Sequence, residues 1–249
     1  MHNLANKVAV VRGASKGIGA GIAKKLASLG VKVVVNYSSS RDAAGRVAGE
    51  ITSAGGNATA IAGSVAKPDE VRKLFEVTKT TYGRVDILVN NAGIYAFTPI
   101  DTLSVDEITS MFAVNVTGLL LVTKSALPLF PPEGGSIINV GSVIGEMAPA
   151  MASVYAGTKG AVNSITRVLA KELGPRQIRV NAINPGPIQT EGFKAAGFKE
   201  SGFEEQMVKG TPLGRIGTPE DVAEIAAFLV SEEARWVTGS LIGAAGGWR

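Results

Sequence analysis

The sequence predicts an α/β fold in which a doubly wound parallel sheet carries helices on both faces. Three observations predict it: short β-branched runs alternate with amphipathic segments of helical length, several runs are apolar on both faces, and a glycine-rich turn joins the first run to the first helix. Strands buried on both faces are typical of parallel sheets, which need helical crossovers between strands. A length of 249 residues suits one such domain.

Seven runs rich in β-branched residues are interpreted as strands because such side chains favour a pleated surface. These are residues 7–11, 32–37, 58–63, 85–90, 136–140, 178–183 and 240–244. Between them, apolar residues recur at helical spacing. The predicted helices are 17–30, 40–54, 68–82, 104–127, 152–174 and 219–231.

The stretch 190–217 breaks this alternation with glycine, phenylalanine and charged residues. We interpret it as a short helical insertion within a single domain of residues 1–249, closing over a site as a lid. A solvated excursion with no such role is the alternative. The lid would use Phe193, Phe198 and Phe203.

Composition narrows the possible chemistry. The chain has no cysteine and one histidine, His2, near the start of the sequence. Thiolate catalysis, a Ser-His-Asp triad and metal sites built on Cys or His are therefore excluded, and no metal is expected. Acid–base chemistry would have to come from Asp, Glu, Lys or Tyr.

Charge and hydropathy narrow the possible partners. The net charge is +4, but Lys and Arg are scattered among acids, so we expect no nucleic-acid partner. A mild basic excess suits a phosphorylated ligand. The N-terminus lacks the apolar run of a signal peptide, and no segment reads as long enough to span a membrane, so a cytoplasmic location is expected.

A glycine turn follows the first strand. Gly13, Gly17 and Gly19 are spaced G-x-x-x-G-x-G and lead directly into the first helix. Glycines allow a tight turn and let the backbone approach a pyrophosphate, which then faces the helix N-terminus. The position of this turn predicts a dinucleotide site, although any tight turn uses glycine.

The end of the second strand favours NADP(H) over NAD(H). No acid stands at Asn36, Tyr37 or Ser38, where a carboxylate would bind the 2′-hydroxyl of NAD and repel a 2′-phosphate. Lys16 and Arg41 offer positive charge nearby, unless they are ordinary solvated residues. NAD(H) remains possible.

Tyr155 and Lys159 lie four residues apart at the start of a predicted helix, and therefore on one face. A neighbouring ammonium favours tyrosinate, so we expect Lys159 to lower the pKa of the Tyr155 phenol toward a useful acid–base range. Taken alone, the pair would more often be a solvated surface pair.

The motifs together form an ordered set. They are GASKGIG (13–19), NNAG (90–93), Asn115, Ser142, YAGTK (155–159) and NPGPIQT (184–190). This order, over essentially the whole chain, resembles the short-chain dehydrogenase/reductase family, in particular its ketoreductases, glucose dehydrogenases and 3-oxoacyl-carrier-protein reductases. The resemblance implies a Rossmann-type sheet of seven strands, an oxidoreductase and a homotetramer formed through the helices at 104–127 and 152–174.

The resemblance also implies site residues. The catalytic tetrad would be Asn115, Ser142, Tyr155 and Lys159, with Tyr155 as general acid–base, Ser142 orienting the carbonyl, and Asn115 holding a water that connects Lys159 to solvent. The cofactor contacts would be Gly13, Ser15, Lys16, Gly17, Ile18, Gly19, Asn36, Tyr37, Ser38, Ser64, Val65, Asn91, Ala92, Gly93, Tyr155, Lys159, Pro185, Gly186, Ile188 and Thr190.

The substrate pocket is expected to be largely apolar, which suits aryl or alkyl ketones better than a free sugar. Its candidate residues follow NNAG, lie between Ser142 and Tyr155, or lie in the last loop. They are Ile94, Tyr95, Ala96, Phe97, Val143, Ile144, Glu146, Met147, Ser153 and Pro187. Glu146 is the polar exception.

Three positions depart from the family pattern. Arg12 stands where threonine is usual, Ser64 where aspartate often contacts the adenine, and the tail GAAGGWR lacks the usual acid. A cation at position 12 would change how the turn meets NNAG or add charge near the cofactor.

The sequence therefore predicts an NADP(H)-dependent carbonyl reductase or alcohol dehydrogenase acting on a small molecule. Alternatives are a 3-oxoacyl-carrier-protein reductase, with Arg167, Lys171 and Arg176 as a docking patch, and a glucose dehydrogenase. A nucleotide-binding sensor without turnover is the alternative from another class.

Overall fold

The sheet has seven parallel strands in the order β3-β2-β1-β4-β5-β6-β7. The structure is a computed structural model that describes residues 4–195 and 202–248. The strands are β1 Val8–Val11, β2 Lys32–Tyr37, β3 Asn57–Ala62, β4 Ile87–Asn90, β5 Gly135–Val140, β6 Ile178–Pro185 and β7 Leu241–Ala244. The predicted doubly wound sheet with helices on both faces is confirmed.

The helices connect these strands as right-handed crossovers require. They are α1 Gly17–Ser28, α2 Arg41–Ser53, α3 Pro68–Tyr82, α4 Val105–Phe112, α5 Gly118–Ala126, α6 Ile144–Met147, α7 Ser153–Leu173, α8 Glu191–Ala195, α9 Phe203–Gly210 and α10 Pro219–Val230.

Two apolar cores cover the two faces of the sheet. On one face, α1, α2 and α10 pack with side chains such as Ile22 and Val222. On the other, α3, α5 and α7 pack with side chains such as Leu74 and Val122. Alternate residues of one strand point to opposite cores, so Val10 belongs to the second core and Val11 to the first.

The helix predicted over 104–127 is not continuous. A π-helical turn, Ala113–Thr117, separates α4 from α5. The stretch Val105–Leu129 has 25 residues and contains an 18-residue window with a mean hydropathy of 1.5. It is long and apolar enough to cross a bilayer, so the expectation that no segment reaches that length is wrong. In this fold α5 instead packs on the sheet through Val122 and Ala126.

The segment over 190–217 carries α8 and α9. Its base is fixed where Gln189 N–H donates to Gly217 O at 2.8 Å and Gly217 N–H donates to Pro187 O at 3.0 Å. Phe198 and His2 lie outside the described residues, as does the side chain of Phe203.

Candidate active site

A cavity of about 830 Å³ lies at the carboxyl edge of the sheet, where β4, β5 and β6 end. The strand order reverses between β1 and β4, and doubly wound sheets bind ligands in the crevice at such a point. The cavity brings together Asn91 after β4, Ser142 after β5 and Pro185 at the end of β6.

The glycine turn has the shape that a diphosphate needs. Gly13 and Gly17 have φ of +60° and +57°, a region that favours glycine. A Cβ on Gly19 would lie 2.4 Å from Gly13 O, so the helix can approach the turn only without a side chain there. Ser15 is half-buried in the turn, Lys16 is exposed at the N-cap of α1, and Ile18 lines the cavity.

A carboxylate already lies at the N-terminus of α1. Glu191 Oε2 accepts a hydrogen bond from Gly17 N–H at 3.0 Å. This contact shows that the backbone of the turn offers a donor to an anion, which is what a pyrophosphate would use. The cradle therefore fits a dinucleotide, and no motif had singled out Glu191.

On the adenosine side, the Asn36 side chain is turned inward. It is 1% exposed, and its amide donates to Ile61 O at 3.2 Å and to Gly63 O at 3.1 Å. Tyr37 is half-buried and Ser38 exposed, so these two residues are the ones presented at the end of β2.

The backbone that follows β3 also forms a hydrogen bond with a side chain of the protein itself. Ser64 N–H donates to Glu70 Oε2 at 2.7 Å, and Val65 is buried in the core. Glu70 therefore uses a donor of Ser64, the residue predicted to contact the adenine. The hydrogen bond from Ser64 lowers the pKa of Glu70.

The segment 91–97, which follows β4 and is called the strap below, connects the glycine turn with the tetrad. Asn91 Nδ2 donates to Arg12 O and Gly13 O at 3.1 and 3.0 Å. A Cβ on Gly93 would lie 3.3 Å from Asn115 Oδ1 and 3.7 Å from Lys159 Nζ. Gly93 thus leaves open the space in front of two tetrad residues, while Ala92 packs partly against the second core.

Asn115 lies in the π-helical turn and reaches toward α7. Its side chain accepts from Ile94 N–H and donates to Ile94 O, both at 2.9 Å, and it donates to Thr158 Oγ1 at 3.1 Å. Asn115 does not line the cavity, but its side chain shares with Lys159 the space in front of Gly93.

The other three tetrad residues face the cavity together. Lys159 is 6% exposed, donates from Nζ to Val140 O at 2.9 Å and has Nζ 5.7 Å from the centre of the Tyr155 ring. Ser142 Oγ accepts from Ile144 N–H at 3.2 Å, and Ser142 lines the cavity together with Tyr155.

The expected lowering of the Tyr155 pKa is not what the chain alone produces. Burial raises this pKa, the hydrogen bond with Ser142 opposes that rise, and Tyr95 adds to it. Lys159 is not among the groups that shift the Tyr155 pKa, and burial and then the charge of Arg12 lower the pKa of Lys159 itself to about 8. A lowered Tyr155 pKa therefore needs positive charge beyond that of Lys159.

Aromatic rings surround the Tyr155 ring. The centres of the Tyr95 and Phe97 rings lie 5.9 and 6.2 Å from its centre, and 6.3 Å from each other. Most of the other cavity residues are apolar. The predicted residues that line the cavity are Ile94, Tyr95, Phe97, Val143, Ile144, Met147, Pro187, Phe193, Gly186, Ile188 and Thr190.

Three predicted pocket residues are not in the wall: Ala96, Glu146 and Ser153. Glu146 and Ser153 are exposed and absent from the cavity lining, because α6 and the start of α7 turn them to the surface. Sequence reasoning missed other wall residues, which come from a loop, from α9 and from the tail. They are Pro149, Ala150, Met151, Gln206, Met207 and Trp248.

Comparison with known proteins agrees with this architecture. A family model described as enoyl-(acyl carrier protein) reductase matches residues 13–249. An uncharacterized oxidoreductase of Methylorubrum extorquens is 50% identical over the whole of both chains. Versicolorin reductase of Emericella nidulans is 40% identical, covering 99% of this chain and 97% of its own. The crystal structure of the angucycline C-6 ketoreductase LanV with bound NADP has a TM-score of 0.92 and 36% identity, covering 99% of this chain and 96% of its own.

Proposed function

Since this chain belongs to the short-chain dehydrogenase/reductase family of NAD(P)-dependent oxidoreductases, we propose that it reduces bulky aromatic ketones with NADPH. One observation carries the proposal. Tyr155, Ser142 and Lys159 together line an apolar cavity of about 830 Å³, and the Tyr95 and Phe97 rings, which also line it, lie 5.9 and 6.2 Å from the Tyr155 ring.

The cofactor would be held by residues from several loops. Gly13, Gly17 and Gly19 would cradle the diphosphate, while Lys159 and the loop from Pro185 to Thr190 would hold the nicotinamide riboside. The absence of an acid at Asn36, Tyr37 and Ser38 supports NADP(H), as does the NADP bound to the similar ketoreductase LanV. When bound, the nicotinamide supplies the hydride.

The chain's own residues would handle the proton. Ser142 orients the carbonyl oxygen beside Tyr155, and Tyr155 gives that oxygen a proton as negative charge develops on it. Lys159 holds positive charge next to the phenol, and Asn115 connects Lys159 to solvent through a water. The apolar walls exclude other water, which strengthens these electrostatic interactions.

The substrate class follows from the cavity lining. Tyr95 and Phe97 are 47% and 41% exposed; the Phe97 ring stands edge-on to Tyr155 and the Tyr95 ring is tilted by 50° to it, which leaves exposed aromatic surface for contact with a flat ring system. The names of two similar proteins, versicolorin reductase and an angucycline ketoreductase, support a polycyclic aromatic substrate.

Reduction of a 3-oxoacyl carrier protein is the second candidate, favoured by the name of the matching family model. The docking patch predicted for it is poorly placed. Arg167 and Lys171 lie about 18 and 24 Å along α7 from Tyr155, at 1.5 Å per residue. Arg176 is engaged, donating to Leu127 O at 2.8 Å.

We also propose a homotetramer in the cytoplasm, as predicted from the sequence. Apolar side chains exposed on α4, α5 and α7 support the assembly: Val105, Ile108, Phe112, Leu120 and Val168. Native mass spectrometry tests it, and a monomer at micromolar concentration would contradict it.

Turnover with a panel of ketones tests the function. NADPH and NADH oxidation would be followed with a tricyclic aryl ketone, an alkyl β-ketoester and, in reverse, glucose. We expect the aryl ketone with NADPH to give the highest kcat/KM, and Tyr155→Phe to lower kcat by about 10²–10⁴ while NADPH still binds.

Each outcome decides a part of the proposal. If the β-ketoester presented on a carrier protein were turned over with the same kcat/KM as the aryl ketone, the second candidate would be favoured. Tight NADPH binding with no turnover of any ketone would instead favour the non-catalytic sensor.

A further inference from the structure

Arg12 is the largest fully buried side chain in the part of the chain that the structure describes, at 1% exposed. It follows β1 and precedes the glycine turn. Its guanidinium meets only neutral acceptors: Nη1 donates to Asn90 Oδ1 at 3.1 Å, and Nη2 donates to Val114 O at 3.4 Å. Nε has no partner among residues 4–195 and 202–248. Burying a charge in this way is costly, which calls for a functional reason.

The first acceptor belongs to a buried polar network. Asn90 Nδ2 donates to Thr123 Oγ1 at 3.1 Å and to Asn139 Oδ1 at 2.9 Å, and Asn139 Nδ2 donates to Thr166 Oγ1 at 2.9 Å. Arg12 therefore begins a chain of hydrogen bonds that runs from β1 through β4 and β5 to α7, the helix that carries Tyr155 and Lys159.

The second acceptor is a carbonyl left over by the π-helical turn. Gly118 N–H donates to Ala113 O, five residues back, rather than to Val114 O, its partner in a regular α-helix. Nη2 of Arg12 supplies a donor to this carbonyl. Val114 immediately precedes Asn115, so the Arg12 fork fixes the turn that presents Asn115.

The guanidinium also acts on Lys159. Burial lowers the pKa of Lys159 to about 8, and the positive charge of Arg12 is the second cause. Burial lowers the pKa of Arg12 itself to about 9, so Arg12 is charged at neutral pH.

The other titratable groups facing this pair of cations are phenols. Tyr155, on α7, lies beside Lys159, and Tyr95, on the strap after β4, acts on Tyr155. The contacts from β4, β5 and the π-helical turn are neutral amides and carbonyls. Among the described residues no carboxylate acts on either cation.

We propose that Arg12 is a positioning residue for the proton relay: its fork joins β4 to the π-helical turn that carries Asn115, and its charge places a second buried cation in the surroundings of Lys159. The proposal rests on the proposed role of the tetrad in ketone reduction. It implies that a second buried cation shifts the working range of the enzyme toward lower pH, since like charges disfavour protonation of each other.

A titration of Lys159 in the free protein tests this without turnover. Protein labelled with ¹³C at the lysine ε-carbons would be followed by NMR from pH 6 to 11, with the Lys159 signal assigned by Lys159→Met. The variants are Arg12→Gln and Arg12→Met, which both remove the charge. Arg72→Met, on the exposed face of α3, is the matched control for loss of a cation.

We expect the Lys159 midpoint to rise by about half a pH unit or more in Arg12→Gln and Arg12→Met, and to stay unchanged in Arg72→Met. The alkaline limb of kcat/KM for ketone reduction should move upward in the same two variants. Arg12→Gln keeps a donor for Asn90, so it guards against misfolding of Arg12→Met.

Two results would overturn the proposal. One is a Lys159 midpoint that moves by less than about 0.2 unit in both uncharged variants while they stay folded. The other is an equal shift in Arg72→Met, since the loss of any cation would then account for it. Neither depends on finding the substrate, so failure here is distinguishable from failure of the proposed ketone reduction.

Discussion

Replacing Glu191 with glutamine should strengthen binding of NADPH. The Glu191 carboxylate accepts from Gly17 N–H at 3.0 Å, at the start of the 12-residue helix α1. A diphosphate in the glycine turn would need the same end of the same helix. The side chain and the cofactor therefore compete, and Glu191→Gln removes the competing charge while keeping the shape of the side chain.

The expected change in the Kd for NADPH follows from the interaction energy between a carboxylate and a helix N-terminus. A carboxylate at an exposed helix N-terminus is stabilised by about 0.3–1 kcal/mol, and that contact has to be broken before the cofactor binds. Its loss corresponds to a Kd for NADPH about two- to fivefold lower. The gain should shrink as salt rises from about 0.02 to about 0.5 M, because screening weakens the contact at this exposed site.

The assay is a titration of the free protein with NADPH, read by the nicotinamide fluorescence. Glu220→Gln is the matched control, since Glu220 lines the same shallow cleft beside Gly17 and Glu191 but belongs to α10 and makes no bond to the turn. General removal of negative charge would affect both variants. Only the specific contact distinguishes them.

Equal Kd values for Glu191→Gln and the unmodified protein at low salt would refute the competition. So would an equal improvement in Glu220→Gln, which would reduce the effect to long-range charge. Weaker binding in Glu191→Gln would mean that the carboxylate assists the cofactor instead.

Three further predictions concern the glycine turn, the buried lysine and the aromatic wall. Gly19→Ala should raise the Kd for NADPH more than about tenfold, because its Cβ would lie 2.4 Å from Gly13 O and 2.6 Å from Asn91 Nδ2; Gly49→Ala, with nothing within 4 Å, is the control, and equal binding by both would contradict the cradle. Burial depresses the pKa of Lys159 to about 8, so below pH 8 the buried charge destabilises the folded protein in full. This destabilisation disappears as the pH rises from 8 toward 10.5. The unfolding free energy from urea titrations should therefore rise by about 3 kcal/mol over that window relative to Lys159→Met, and a flat difference would contradict the burial. Phe97→Ala should raise KM for a tricyclic ketone and leave KM for a small aliphatic ketone nearly unchanged; an equal rise for both would place Phe97 outside the substrate's ring contacts.

The fold could be predicted because its signals are local. Each strand and helix is encoded in a short window, and parallel pairing with crossovers follows from their alternation. The tetrad could be anticipated only from a resemblance in motif order. Ser142 and Tyr155 are 13 residues apart in sequence, and nothing in that spacing says that β5 and α7 bring them to one cavity.

What sequence reasoning missed depends on long-range packing. Arg12 would ordinarily be expected at the surface, and only the neighbouring Asn90 and Val114 show why it is buried. The π-helical turn adds one residue to a helical pattern that otherwise looks continuous. Asn36 has the predicted place on β2, but its side chain is buried and donates to two backbone carbonyls, Ile61 O and Gly63 O.

The two tryptophans lie in contrasting surroundings, so intrinsic tryptophan fluorescence can be used to report on the cavity. Trp248 lines the cavity and touches α9 near Gly210, whereas Trp236 is 97% exposed. Trp236→Phe would leave one emitter, whose spectrum reports on the cavity alone. Energy transfer from that indole to a reduced nicotinamide would then time the arrival of the coenzyme in a stopped-flow instrument, with no substrate and no external dye.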